Sequence, residues 1–484
     1  MTPLWTSDEA ARATGGQATV PFKVTGVTID SRKVADGDLF VALKDARDGH
    51  DFVADALRKG AAAALVTHRP DGVADDAPLL IVPEVLPALE ALARAARARS
   101  AARVIAITGS VGKTGTKDML QHVLAPQGRV HAAERSFNNH WGVPLTLARM
   151  PRDAEFAVIE IGMNAPGEIA PLSCLTRPHA AIVTTVAAVH AAAFVDVRGI
   201  AREKASICEG LEPGGTAILN RDMGTYRLVR ARALRAGATI VPFGGAGRPP
   251  YLMRKATLRG RRTLVEARIR GNRMFLKIAA PGRHLALNAM AVLAAVEAVG
   301  ADVDQAALAL GQWAPPAGRG ARWTVALGDG QLDGSVELID DAYNANPTSM
   351  AAAFEVLAAS EPRHDIGRVA RGRRVAFLTD MLELGPTEAA EHAGLATLAA
   401  VLAADRIHTA GPLMAHLHTA LPPGQRGEHH DAAQTLAKRA GRLLDAGDVA
   451  LVKGSKGSRA AIIVDAILKL GQAMPADTQD DGEG

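Results

Sequence analysis

The sequence predicts an α/β protein of three domains, and three observations carry that expectation. Short β-branched runs alternate with stretches of helical spacing along most of the chain, the pattern of sheets built from βαβ units. The 484 residues exceed what one hydrophobic core holds, since domains run to roughly 100–200 residues. A Pro/Gly/Arg-rich break, WAPPAGRGARW at 313–323, interrupts the alternation and reads as a hinge.

The first domain, 1–102, is expected to be a small α/β unit. FKVTGVTIDSRKVADGDLFVALK holds short β-type runs broken by Asp-Gly, DFVADALRKGAAAALV has helical spacing ending at a glycine, and EVLPALEALARAARARSAAR is a helix. The second, 103–314, opens with VIAIT and alternates AVIEIG, AAIVTTV and GTAILN with helical stretches, which predicts a mostly parallel sheet. After the hinge, VELIDDAYN, RRVAFLTDM, RIHTAG and DVALVKG are strands spaced by helices, a Rossmann-like third domain over 315–470. The polar, acidic end, 471–484, is expected to be a disordered tail.

Composition narrows the class. Hydrophobic residues at 48% and charged residues at 22% fit a soluble globular protein. Basic residues, 55 against 51 acids, are dispersed along the sequence rather than gathered in one run, which argues against nucleic acid as a partner. Cys174 and Cys208 are too few for a disulfide framework or a multi-cysteine zinc site. The start lacks the basic and apolar regions of a signal peptide, and no apolar run is long enough to span a bilayer. The expectation is a cytoplasmic monomer without membrane insertion.

The chemistry centres on VIAITGSVGKTGTKDML, 104–120. A buried strand runs into a helix through Gly109, Ser110, Val111, Gly112, Lys113, Thr114 and Gly115, where unpaired N–H groups and the helix dipole favour a phosphate. Lys113 would neutralise the β and γ phosphates and Thr114 would ligate magnesium. The strict pattern G-x-x-x-x-G-K-[ST] would need glycine at 107, where Ile107 stands, so this stretch alone leaves open a Gly-rich turn with an incidental lysine.

Further blocks bear on that choice. They are TIDSRKVADGDLFVALK, SFNNHWGVPLTL at 136–147, EIGMNAPGEI at 160–169, LIDDAYNANPTSM at 338–350, DMLELG at 380–385 and LVKGSKGSR at 451–459. With the shortened loop, they resemble the ATP-dependent Mur ligases of peptidoglycan synthesis, in their dipeptide-adding branch. The resemblance spans about residues 24–470 and implies a ligase. ATP and magnesium would activate the terminal carboxylate of UDP-MurNAc-tripeptide as an acyl phosphate, and the amine of D-alanyl-D-alanine would attack it, giving the UDP-MurNAc-pentapeptide.

The resemblance also implies site roles. Lys113, Glu160, His190 and Lys204 correspond to the family's catalytic set. Thr114, Glu160 and His190 fall at metal-binding positions, and Lys204 at the lysine that members carbamoylate to help bind a second magnesium. Asn288 falls where the family contacts adenine, and Asp340 at a strand end suited to ribose. Arg319 would reach the γ phosphate when the third domain closes. Ser31 and Arg32 match positions meeting UDP, Asn138 and Asn139 would serve the substrate's peptide or pyrophosphate, and Tyr343, Asn344 and Asn346 would lie near the dipeptide. Three departures stand out: TTVAAVHAAAF around His190, EKASI around Lys204, and Thr379 where members carry glycine. Two rival readings are another amino-acid-adding ligase of this family and a regulatory P-loop ATPase.

Overall fold

The computed structural model describes residues 2–134, 136–187, 194–327, 334–366 and 370–476. They form three α/β domains in chain order. In the first, Gly26–Thr28, Asp38–Val41, Ala63–Val66 and Leu79–Ile81 pair in parallel in that order, and Gln17–Ala18 adds antiparallel to the last. Successive side chains of Asp38–Val41 point to opposite faces, so Leu39 and Val41 enter one core and Phe40 the other.

The central sheet has nine strands. Arg103–Thr108 lies inside it, flanked in parallel by Phe156–Glu160 and Ala180–Val183. Val104 and Ala106 pack into one core and Ile105 and Ile107 into the other, which is why this strand reads as an unbroken apolar run. The chain leaves Arg103–Thr108 for Val130–Ala132 and Phe156–Glu160 on one side, then crosses to Ala180–Val183 on the other. The crevice at the carboxyl ends of these strands is therefore a topological switch point, where open α/β sheets bind ligands.

The sheet is mostly parallel, as expected, and one edge of it is not. Tyr251–Arg259, Arg262–Ile269 and Asn272–Ile278 form an antiparallel meander at the edge. The turn between the last two strands places both Arg270 and Gly271 at positive φ, 51° and 91°, the backbone that two-residue hairpin turns require.

The third domain has seven strands, with Ser335–Asp341, Val449–Lys453, Arg374–Thr379, Arg406–Ala410 and Arg426–His430 parallel and adjacent in that order. Ala321–Leu327 pairs antiparallel with Ser335–Asp341. The expected tail needs a correction at its start: Gly471–Pro475 is a strand, paired antiparallel with Ala321–Leu327. Backbone pairing needs no hydrophobic side chains, so the polar composition concealed it. Residues 477–484 lie outside the described residues.

Candidate active site

The phosphate loop sits where the sequence places it. The helix Lys113–Leu124 begins at Gly112, whose φ of +89° is a left-handed conformation open to glycine. Gly109 is required for space as well: a β-carbon there would lie 1.9 Å from Thr184 Oγ1. Thr184 in turn donates to Val111 O at 2.6 Å, and the Ser110 hydroxyl donates to Ala187 O at 3.1 Å, so the loop is fastened to the segment that follows Ala180–Val183. Lys113 Nζ reaches back to Gly109 O at 2.7 Å. Beside Gly115 there is open space, where a β-carbon would meet nothing within 4 Å.

Around Thr114 a line of hydrogen bonds assembles. Thr114 Oγ1 donates to Glu160 Oε2 at 2.8 Å, Asn138 Nδ2 donates to Glu160 Oε1 at 2.7 Å, and Ser136 Oγ stands 3.2 Å from Thr114 Oγ1. Arg319 Nη2 donates to Ser136 Oγ at 3.0 Å, and its guanidinium lies over the Tyr343 ring, 4.0 Å from the centroid. Arg319 thus stands beside Ser136 at the edge of the loop. Burial lowers the pKa of Lys113, and Arg319 lowers it further while Glu160 opposes both.

Lys204, on the helix Val197–Ala205, is buried and has no hydrogen-bond or ion-pair partner among the described residues. Burial first, then the neighbouring Lys113 charge, brings its pKa well below that of a free lysine, against the pull of Glu203. His190 lies outside the described residues.

Several predicted contacts turn out to be engaged within the protein. Asn138 is taken up by Glu160, and Asn139 Oδ1 accepts Gly142 N at 2.9 Å at the start of the helix Gly142–Ala148. Asn346 caps the helix Pro347–Ala359 in a capping box with Ser349. Asp340 Oδ2 accepts Gly318 N at 2.7 Å, so it ties the hinge to the third domain; burial raises its pKa. The Asn288 amide stands against Gly112, 3.0 Å from where a β-carbon would be. Asn344 O accepts the buried Lys453 Nζ at 3.0 Å, and Tyr343 N donates to Gly318 O at 3.0 Å. Arg32 is forked onto Asp30 at 2.8 and 2.9 Å, and Ser31 O accepts Lys59 Nζ at 3.0 Å.

Ser31 and Arg32 line a cleft of 1380 Å³ between the first domain and the segment 131–149. Lys33, Lys44, Arg47, Lys59 and Arg149 put cations on its wall among carboxylates that include Asp30, Asp38, Asp45, Asp55 and Glu84, and Phe137 and Trp141 add aromatic surface. The segment 131–149 thus faces two ways: Phe137, His140 and Trp141 meet the cleft, while Ser136 and Asn138 meet the phosphate loop. Ser136 was not singled out from sequence; it lay within a recognised block, but a lone serine carries no spacing signal.

The donor set fits a magnesium ion. The Thr114 hydroxyl and one Glu160 carboxylate oxygen converge, hard oxygen donors of the kind magnesium takes alongside substrate phosphates and water. No cluster of three or more His, Cys, Asp or Glu suited to a metal occurs among the described residues. No helix among those residues is long and apolar enough to cross a membrane.

Comparison with known proteins agrees with this architecture domain by domain. Residues 23–100 match the family described as Mur ligase family, catalytic domain; residues 107–296 match Mur ligase middle domain; residues 326–456 match Mur ligase, glutamate ligase domain. The UDP-N-acetylmuramoyl-tripeptide–D-alanyl-D-alanine ligase of Bacillus subtilis (strain 168) is 33% identical, covering 91% of this chain and 92% of its own length. That of Escherichia coli (strain K12) is 34% identical, covering 92% and 93%. A crystal structure of MurF from Acinetobacter baumannii aligns with a TM-score of 0.81 at 27% identity, over 96% of this chain and 98% of that one. With relatives a third identical along nine-tenths of its length and a match in each of its three domains, the chain belongs to the Mur ligase family.

Proposed function

We propose that this chain joins D-alanyl-D-alanine to UDP-MurNAc-tripeptide at the expense of ATP. The observation that carries the reading is the line Asn138–Glu160–Thr114–Ser136–Arg319, which gathers both domains flanking the hinge onto one phosphate loop beside a large cleft of mixed charge. The full-length likeness to dipeptide-adding ligases supports it.

In this reading the loop N–H groups and Lys113 hold the ATP phosphates, and Arg319 offers its remaining N–H donors to the γ phosphate. A substrate carboxylate oxygen forms a bond to the γ phosphorus while the bond to the ADP oxygen breaks. The amine then attacks the acyl carbon, inorganic phosphate leaves, and the nitrogen gives up a proton. The steps need positioning and charge neutralisation more than covalent help from the protein. Thr114 and Glu160 would hold a magnesium ion, which when bound neutralises charge on the phosphates. Lys204, buried and with its pKa lowered, is suited to carbamoylation by carbon dioxide, which would add an anionic oxygen ligand beside Lys113. His190 is assigned to a metal by the family likeness alone. Asn288 would meet the adenine and Asp340 the ribose. Ser31, Arg32 and the cleft cations would receive the UDP portion, with Asn138 and Asn139 shaping the passage between cleft and loop. Tyr343, Asn344 and Asn346 would form the dipeptide side.

The test is phosphate release from ATP and magnesium with UDP-MurNAc-tripeptide, with and without D-alanyl-D-alanine, read together with mass spectrometry of the product. Release coupled to pentapeptide is the expected result. Release indifferent to both substrates would instead mark a regulatory ATPase, and coupling to a single amino acid on a shorter acceptor would mark another ligase of the family.

A further inference from the structure

The edge meander of the central domain gathers charge that the sequence spreads out. From Tyr251 to Ile278 nine lysines and arginines stand against one acid, Glu266, so this stretch carries +8 while the whole chain carries +4. The remainder of the chain is net acidic. Strand alternation sorts these residues by face. Val265, Ala267, Leu276 and Ile278 point inward to the core that includes the helix Arg283–Ala298. Lys255, Arg259, Arg268, Arg273 and Lys277 are exposed on the outside.

Two features of this face are not what stability alone would favour. Arg268 and Arg273 are directly opposite each other across the strands, and like charges so placed repel, a repulsion that Glu266, 3.4 Å from Arg273, offsets only in part. Phe275 is 69% exposed and Leu264 41%, set among the cations, with the Arg273 guanidinium 4.7 Å from the Phe275 ring centroid. A sheet face that is cationic and studded with apolar side chains is complementary to an anionic bilayer: the cations meet lipid phosphates and the apolar groups enter the boundary beneath. A single aromatic is a poor stacking platform for nucleic acid, which such surfaces bind through several. Asn272–Ile278 lies six strands from Arg103–Thr108, about 29 Å at ~4.8 Å per strand, so the phosphate loop stays clear of whatever the face touches.

We propose that this face is a peripheral docking surface for anionic phospholipid membranes. It is independent of the ligase reading. The test is co-sedimentation of the full chain with vesicles of phosphatidylglycerol and phosphatidylcholine in equal parts, against phosphatidylcholine alone. Binding is expected only to the anionic vesicles, weakening as salt rises. The variant R268S/R273S/K277S should bind about 100-fold more weakly, since each basic residue near an anionic surface contributes severalfold. Its turnover should be unchanged and its melting temperature no lower. Phe275→Ser, a single exposed change that keeps every charge, should reduce the binding that survives at high salt, and it serves should the triple variant fold poorly. Absence of binding to anionic vesicles at low salt, or equal binding by these variants, would overturn the proposal. So would a single-stranded oligonucleotide that binds this face more tightly than the vesicles do.

Discussion

A hydroxyl has one proton to give, and at the phosphate loop this fixes the direction of a hydrogen-bond chain. The Glu160 carboxylate only accepts, so Thr114 must spend its proton there. Ser136 then donates to Thr114, and its lone pairs are free to accept from Arg319. Ser136 thus holds the guanidinium at the loop before any nucleotide arrives. Ser136→Ala should lower kcat/KM for ATP by about tenfold, the scale of one hydrogen bond to a charged group, while Ser136→Thr keeps most of the activity. In an Arg319→Ala background the same substitution should cost little further. An undiminished loss there would mean that Ser136 acts through Thr114 alone. At this scale Lys113, Thr114 and Glu160 were legible because a strand–loop–helix junction and a strand end fix their places. The helix-capping bonds of Asn139 and Asn346 were not legible, because a short polar side chain beside a helix start is claimed by backbone N–H groups, and sequence shows the amide without the claim. Thr379 is accommodated locally: its Oγ1 lies 2.7 Å from Ser458 Oγ, and the room it needs is left by Gly454.

Elements were legible where periodicity was strong. Arg103–Thr108, Val85–Arg99 and Arg283–Ala298 stand where apolar runs and helical spacing predicted them. The meander was missed because Leu264 and Phe275 put large apolar side chains on its exposed face and blur the alternation of its strands, and Gly471–Pro475 because its pairing is backbone alone. The strand Arg406–Ala410 has a property that periodicity does not reveal. His408 is buried, stacks on Phe377 with centroids 5.1 Å apart, and accepts Glu428 N on Nδ1 at 2.9 Å, so it is held neutral. Burial, the first cause, pushes its pKa from 6.5 down to about 4. The unfolded chain therefore binds this proton more readily than the folded one, and stability falls as pH drops from about 6.5 towards 4, then levels. The loss is at most about 3 kcal/mol, at 1.36 kcal/mol for each pKa unit. Urea unfolding at pH 7 and pH 5 should show it, and His408→Gln should flatten the difference. An unchanged pH slope in that variant would place the titration elsewhere.

At the scale of the whole molecule, the sequence boundary at 102 divides residues that the fold does not divide. The helix Gly142–Ala148 belongs by chain order to the central domain, yet Leu145 and Ala148 are buried in the first domain's core with Trp5, Val24 and Leu89. Trp5 Nε1 donates to Ala148 O at 3.0 Å, and Arg149 Nε donates to Val27 O at 2.5 Å, both across that boundary. The same segment carries Ser136 and Asn138 to the phosphate loop, so the wall of the cleft and the support of Glu160 are fixed by one packing arrangement. A fragment 1–102 would leave open the face that Leu145 and Ala148 cover, and losing one buried leucine alone costs about 2–5 kcal/mol, a large part of a small domain's stability. That fragment should lack a cooperative thermal transition and give a poorly dispersed amide NMR spectrum. In the full chain, Leu145→Ala should speed amide exchange at Leu39 and Val41, in the strand Asp38–Val41 of the other domain. Well-dispersed signals and a sharp melt for the fragment, with unaltered exchange in the variant, would mean that the first domain folds alone and only afterwards receives the helix. Substrate in the cleft would then reach the phosphate loop through a docked contact rather than through a shared core.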